Sequence, residues 1–177
     1  MNIPNVLTVI RFLLVPAFVY AYLFSGSMTA AVVILAVSGL TDVLDGYIAR
    51  KYHMITKWGT VFDPIADKLT QITTAFCIAY GGVNVMWFAF ALLLAKELVM
   101  VLGGIKLYKK GDVVVSANWY GKAATLLFYL VFFALMLFRD TMSDYAQGFL
   151  IIAASALSVF ALARYVVIFL GMRKKLF

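Results

Sequence analysis

Six long apolar runs, separated by short polar breaks, divide the chain. They fall at about residues 6–24, 29–50, 60–80, 85–107, 118–138 and 145–170. Each is long enough for a bilayer core of about 30 Å, which takes about 20 helical residues to cross. The predicted fold is therefore all-α: a polytopic bundle of six transmembrane helices, forming one domain over residues 1–177. The breaks differ in charge. The first, at residues 25–28, and the third, at residues 81–84, are uncharged, and the fifth holds Arg139 with Asp140 and Asp144. The second holds Arg50, Lys51, His53 and Lys57, the fourth holds Lys106, Lys109 and Lys110 with Asp112, and the C-terminus reads RKKLF. Lys and Arg accumulate on the cytoplasmic side of a membrane protein. The asymmetry predicts a multi-pass protein of the cell membrane with both termini cytoplasmic. The opening MNIPNVLTVIR reads as a short interfacial segment leading into the first span. Its first five residues lack the basic side chain that starts a cleavable signal.

Composition removes whole classes of function. The chain is 65% hydrophobic and 13% charged, against roughly half and a quarter in a soluble domain. The net charge of +7 serves topology and contact with anionic headgroups, so no nucleic-acid partner is expected. The single Cys77 has no partner for an internal disulfide.

Candidate chemistry lies between residues 42 and 67. Of eight acidic residues, four are here: Asp42, Asp45, Asp63 and Asp67. They form two pairs, spaced i,i+3 and i,i+4, and each spacing places two side chains on one helix face. At about 1.5 Å per residue, Asp42 and Asp45 lie about 20 and 24 Å from the outer start of the second run. Asp67 and Asp63 lie about 20 and 26 Å from the outer end of the third. All four fall in the cytoplasmic third of the core, with Asp42 level with Asp67 and Asp45 with Asp63. An ionised side chain there costs about 2.5–3.5 kcal/mol even on a lenient scale. Four mutually repelling carboxylates need positive charge among them, and one or two divalent cations are the simplest source. The bland alternative is a set of interhelical salt bridges, for which only Arg50 and Lys68 are near in sequence. Arg11, early in the first run, either snorkels to the interface or points into a polar cavity.

The residues also fit Asp42-x2-Asp45-Gly46-x2-Ala49-Arg50-x8-Gly59-x3-Asp63-x3-Asp67. The pattern resembles the signature of the CDP-alcohol phosphotransferases at all eight positions. Six spans with cytosolic termini are also what that family has. Within it, NIPNVLTVIR (2–11), DGYIARK (45–51), FDPIADKL (62–69) and the Gly121–Lys122 pair are most similar to bacterial phosphatidylglycerophosphate synthases. The resemblance implies a cytosolic-side active site where an alcohol attacks the β-phosphorus of CDP-diacylglycerol and CMP leaves. It implies Mg2+ or Mn2+, which suit hard oxygen ligands, on Asp42, Asp45, Asp63 and Asp67. Asp67 would also act as general base. Gly46, Ala49, Arg50 and Gly59 would bind the CDP-lipid, with Thr56, Asn5 and Thr8 as further contacts. The small Gly46 would let a nucleotide approach the helix backbone. A homodimer surrounded by membrane lipids is implied too.

The acceptor is read from spans four and five. In the synthase family, basic residues there hold the phosphate of glycerol 3-phosphate, and Lys96, Lys106 and Lys122 are the candidates. The chain departs from that pattern. Ala95-Lys96-Glu97 stands where Ala-Arg-Glu is usual, Leu102-Gly103-Gly104 lacks an arginine, and Gly121-Lys122-Ala123-Ala124-Thr125 lacks one lysine. A lysine does not reproduce a bidentate arginine clamp. The departures leave room for a cardiolipin synthase of the same fold, using phosphatidylglycerol, and SGLTDVLDG (38–46) looks like that branch. A divalent-cation carrier could use the same carboxylates, although carriers place their sites near the midplane and often repeat their halves.

Overall fold

The computed structural model describes residues 3–52, 56–111 and 119–175. Side chains are described except at residues 3, 50, 57, 58, 60, 61, 102–111, 119, 120 and 168–175. Among these residues there are six α-helices and no strand: α1 Ile3–Val19, α2 Met28–Lys51, α3 Lys57–Tyr80, α4 Val85–Gly111, α5 Trp119–Phe138 and α6 Asp144–Lys175. The opening is already helical from Ile3, where α1 begins. Pro4 is compatible with that start, since a helix's first turn has no use for its missing N–H.

Local chemistry sets the breaks. Pro16 cannot donate to the carbonyl of residue 12, and a turn later α1 widens into a π-helical turn, Tyr20–Phe24. Ser25 closes that turn, its N–H donating to Tyr20 O and its hydroxyl to Ala21 O, both at 2.9 Å. Ser27 then caps α2 by accepting from the Ala30 N–H. Thr56 caps α3, accepting from the Gly59 N–H at 2.9 Å. These hydroxyls take up N–H groups that a helix start leaves without partners. Beyond α3, Gly82 adopts φ 104°, a conformation in which a side chain would be strained.

Four stretches are long and apolar enough to cross a membrane: Pro4–Phe24, Met28–Ala49, Gly121–Thr141 and Asp144–Val167. α3 and α4 fall outside that set, which was drawn from the described residues. α3 carries Asp63, Asp67, Lys68 and Gln71, and α4 carries Lys96 and Glu97. The fold is that of a polytopic all-α membrane protein. Large apolar side chains such as Leu13, Val33, Leu40, Leu130, Phe149 and Ile152 are exposed, as suits a protein whose solvent is lipid.

The chain forms two compact units, Met1–Gly82 and Val83–Phe177. In the first, α1 is the shared neighbour. It packs along both α2 and α3, while α2 and α3 meet only sparingly. Its core includes Phe18, Ala21, Ala31, Leu35, Ala66, Ala75 and Ile78. In the second unit α6 packs against α4 and α5. Ala124, Ala161 and Tyr165 form a cluster there, with Met100 and Leu157 against it. Small residues at such contacts let helix backbones approach closely.

Candidate active site

Asn5, Thr8 and Arg11 follow one another at i,i+3 spacing, so α1 carries them as one polar stripe. Each reaches a different partner. The Thr56 hydroxyl donates to Asn5 Oδ1 at 2.8 Å. The Thr8 hydroxyl donates to Asp63 Oδ1. It also lies 3.1 Å from Pro4 O, but it has one proton, and the charged acceptor makes the stronger bond. Arg11 donates through Nη2 to Asp45 Oδ2, and its Nη1 lies 3.1 Å from Asp42 Oδ1. The Arg11 side chain is 1% exposed and that of Asp45 4%, whereas Asp42 is 45% exposed. Arg11 therefore does not snorkel. It is the counter-ion of the α2 pair.

The carboxylates of α2 and α3 lie within electrostatic range of one another. Asp42 feels Asp67 more than Asp63, and Asp45 feels Asp63 more than Asp42. Asp67 is partly exposed, with Lys68 Nζ 4.0 Å from its Oδ2. Gly59 lies beside the cluster. A Cβ at this position would sit 3.2 Å from Thr56 Oγ1, 3.3 Å from Asp63 Oδ2 and 3.4 Å from Asn5 Oδ1. Glycine thus leaves open a small space that three side-chain oxygens approach. Gly46 and Ala49 follow on α2, both partly buried.

An all-oxygen donor set of carboxylates, an amide and a hydroxyl has the chemistry that Mg2+ or Mn2+ takes. In that sense the residues fit a hard divalent cation. Among the described residues, however, no three acidic, histidine or cysteine side chains are gathered into a ready coordination sphere. Arg11 and Thr8 engage the carboxylate oxygens instead. Nearness in sequence pointed only to Arg50 and Lys68 as partners of these acids. Among the described side chains the counter-ion of Asp45 is Arg11, 34 positions away, because packing between α1 and α2 brings together what sequence distance separates.

The side chains of Arg50 and Lys106 are outside the described residues. Lys96 and Lys122 belong to the second unit. Lys96 is buried, with Nζ 3.0 Å from Glu97 Oε1, and Lys122 is exposed. Sequence reading missed the place of Arg11 and the capping role of Thr56. The 5–8–11 spacing was the available signal for the first. The turn residue ahead of Gly59 was the signal for the second.

Fold and site together define a helical membrane protein with a cluster of carboxylates carried by neighbouring helices and a buried arginine among them. The family profile described as CDP-alcohol phosphatidyltransferase matches residues 1–170, and the chain belongs to that family. It is 34% identical over 146 residues to a Streptomyces coelicolor protein named cardiolipin synthase (CMP-forming), covering 79% of this chain and 66% of that one. It is 27% identical over 171 residues to a Haemophilus influenzae CDP-diacylglycerol–glycerol-3-phosphate 3-phosphatidyltransferase, covering 93% of this chain and 91% of that one. A Rickettsia felis protein of the same name as the latter is 41% identical over 70 residues, 38% of this chain and 39% of its own. The chain spans about two thirds of the length of the actinobacterial relatives, 65% for those of Mycobacterium tuberculosis and 66% for that of Streptomyces coelicolor.

Proposed function

We propose that the protein transfers a phosphatidyl group from CDP-diacylglycerol to glycerol 3-phosphate, giving phosphatidylglycerophosphate and CMP. The observation that carries this reading is the set of four motif carboxylates placed within electrostatic reach of one another by helices that share α1. The Haemophilus relative, matched over nearly its whole length, supports the acceptor. A second reading, phosphatidylglycerol as acceptor, is favoured by the name of the Streptomyces relative and by the arginine missing from the 102–104 segment.

Asp42, Asp45, Asp63 and Asp67 would hold the Mg2+ or Mn2+. When bound, such an ion neutralises the pyrophosphate and the departing CMP and polarises the attacked phosphorus. Thr8 fixes the orientation of Asp63 through its hydroxyl. Asp67, partly exposed on α3, takes the proton of the acceptor hydroxyl as its oxygen bonds to the β-phosphorus and the bond to CMP breaks. Its contribution as a base rests on closeness and late proton departure. Gly46, Ala49, Arg50 and Gly59 would line the CDP-lipid, with Asn5 and Thr56 held beside them by their mutual hydrogen bond. Lys96, Lys106 and Lys122 would hold the acceptor's phosphate. The charge asymmetry of the breaks supports cytoplasmic termini in the cell membrane, and family resemblance supports a homodimer.

Purified protein supplied with labelled CDP-diacylglycerol tests this. CMP release that depends on glycerol 3-phosphate supports the first reading. Release that depends on phosphatidylglycerol alone selects the second. Cation flux in vesicles with no CMP formed removes both in favour of a carrier.

A further inference from the structure

A carboxylate cluster that waits for a metal inside a membrane protein must be stable before the metal arrives. Arg11 answers that requirement. Its guanidinium is 1% exposed, bonded to Asp45 and 3.1 Å from Asp42. Its hydrogen bonding is nevertheless incomplete. Arginine has five N–H donors, yet Nε and Nη1 are buried with no hydrogen-bond partner among the described residues. Nη1 is close to Asp42 but not aligned with it. Arg11 is therefore held by charge more than by a satisfied bidentate fork, the arrangement that makes arginine–carboxylate pairs strong.

We propose that Arg11 is a placeholder cation. It holds Asp42 and Asp45 while the site is empty and gives up their oxygens when a divalent metal enters, so that metal and guanidinium compete for the same carboxylates. Arg11 is thus a positioning residue that sets the metal affinity of the site from α1. This rests on the metal reading given above. A merely structural arginine would only weaken the site when removed. A competitor, when removed, tightens it.

The test uses full-length protein in detergent micelles, titrated with Mn2+ while free Mn2+ is followed by electron paramagnetic resonance. Wild type is compared with Arg11→Gln and Arg11→Lys. Arg11→Gln is expected to bind Mn2+ about tenfold or more tightly, since a full charge next to the ion is removed. In EDTA it melts at a lower temperature than wild type, and Mn2+ removes the difference. Arg11→Lys, with its charge on a single shorter-reaching point, falls between the two. Wild type that binds Mn2+, with Arg11→Gln binding it equally or more weakly, overturns the placeholder role and leaves the metal reading standing. Wild type that binds no divalent ion overturns both. Should Arg11→Gln fail to fold even with Mn2+, Arg11→Lys decides: tighter binding than wild type supports the proposal, and unchanged or weaker binding overturns it.

Discussion

The two units of the chain place their polar groups in opposite ways. In Met1–Gly82 the polar side chains bond across long stretches of sequence: Arg11 to Asp45 over 34 positions, Asn5 to Thr56 over 51 and Thr8 to Asp63 over 55. In Val83–Phe177 the polar contacts among the described residues named here are local. Lys96 pairs with its neighbour Glu97, and the Gln147 amide donates to Arg139 O and Met142 O, eight and five positions back. Ser155 and Ser158 are buried with no hydrogen-bond partner among the described residues. Among the described residues, the first unit adds long-range charge and hydrogen bonds to its apolar core, whereas the second shows chiefly apolar and small side chains packed together. A buried polar group left half-satisfied is costly, so a bonded polar cluster in a membrane protein makes Met1–Gly82 the candidate seat of the proposed chemistry.

The largest effect that would break the contrast lies at Asp63, where α1 and α3 meet. Asp63→Asn keeps the shape and can still accept from Thr8, but it loses the charge a cation needs. Turnover is expected to fall by more than about a hundredfold, beyond the 10–100-fold typical of groups that only orient a metal's ligands. Insertion and helix content, read by circular dichroism, stay as in wild type. Acceptor-dependent CMP release persisting at the wild-type rate would remove the first unit's claim to the chemistry.

A smaller loss is expected at Thr8. Thr8→Val is close in shape and deletes the hydroxyl that bonds Asp63 Oδ1. A hydrogen bond to a charged group contributes about 1.5–3 kcal/mol, and an orienting residue is worth about tenfold in activity or metal affinity at the lower end of its range. The expected signature is turnover reduced about tenfold at low Mn2+ and partly regained at high Mn2+. Loss that no Mn2+ concentration relieves would point to a damaged fold instead.

Much of this was legible in the chain. Hydrophobic runs define helices because each span must satisfy its own backbone in lipid. The 42–45 and 63–67 spacings define shared faces because helical geometry is local. What stayed hidden is which helix lies beside which. Antiparallel reasoning placed α2 against α3, whereas both pack chiefly on α1. Arg11 then becomes the partner of Asp42 and Asp45, a pairing that no local pattern contains. Thr56 shows the same limit in reverse. Its oxygen caps α3 and its proton goes to Asn5, so a residue read as a ligand contact already has structural duties. The acceptor side was least legible, because departures such as Lys96 for arginine have no periodic signature and its meaning depends on what sits opposite.

The smallest expected effect sharpens the contrast from the other unit. Ser155 and Ser158 lie one turn apart on α6 with their hydroxyl oxygens buried and without hydrogen-bond partners among the described residues. Leaving such a group unpaired costs about 1–3 kcal/mol, so removing it relieves a cost. Ser155→Ala and Ser158→Ala are therefore expected to change stability by less than about 0.5 kcal/mol, or to raise it by up to about 1 kcal/mol, with turnover unchanged. Thr8→Val, also the loss of one hydroxyl, should shift unfolding the other way. Thermal unfolding in one detergent, all three variants side by side, measures the difference in sign. If the serine variants lose more than about 1 kcal/mol, α6 uses those hydroxyls across the helix interface. The second unit would then hold a polar network of its own, and charge-bonding could no longer single out Met1–Gly82 as the seat of the reaction.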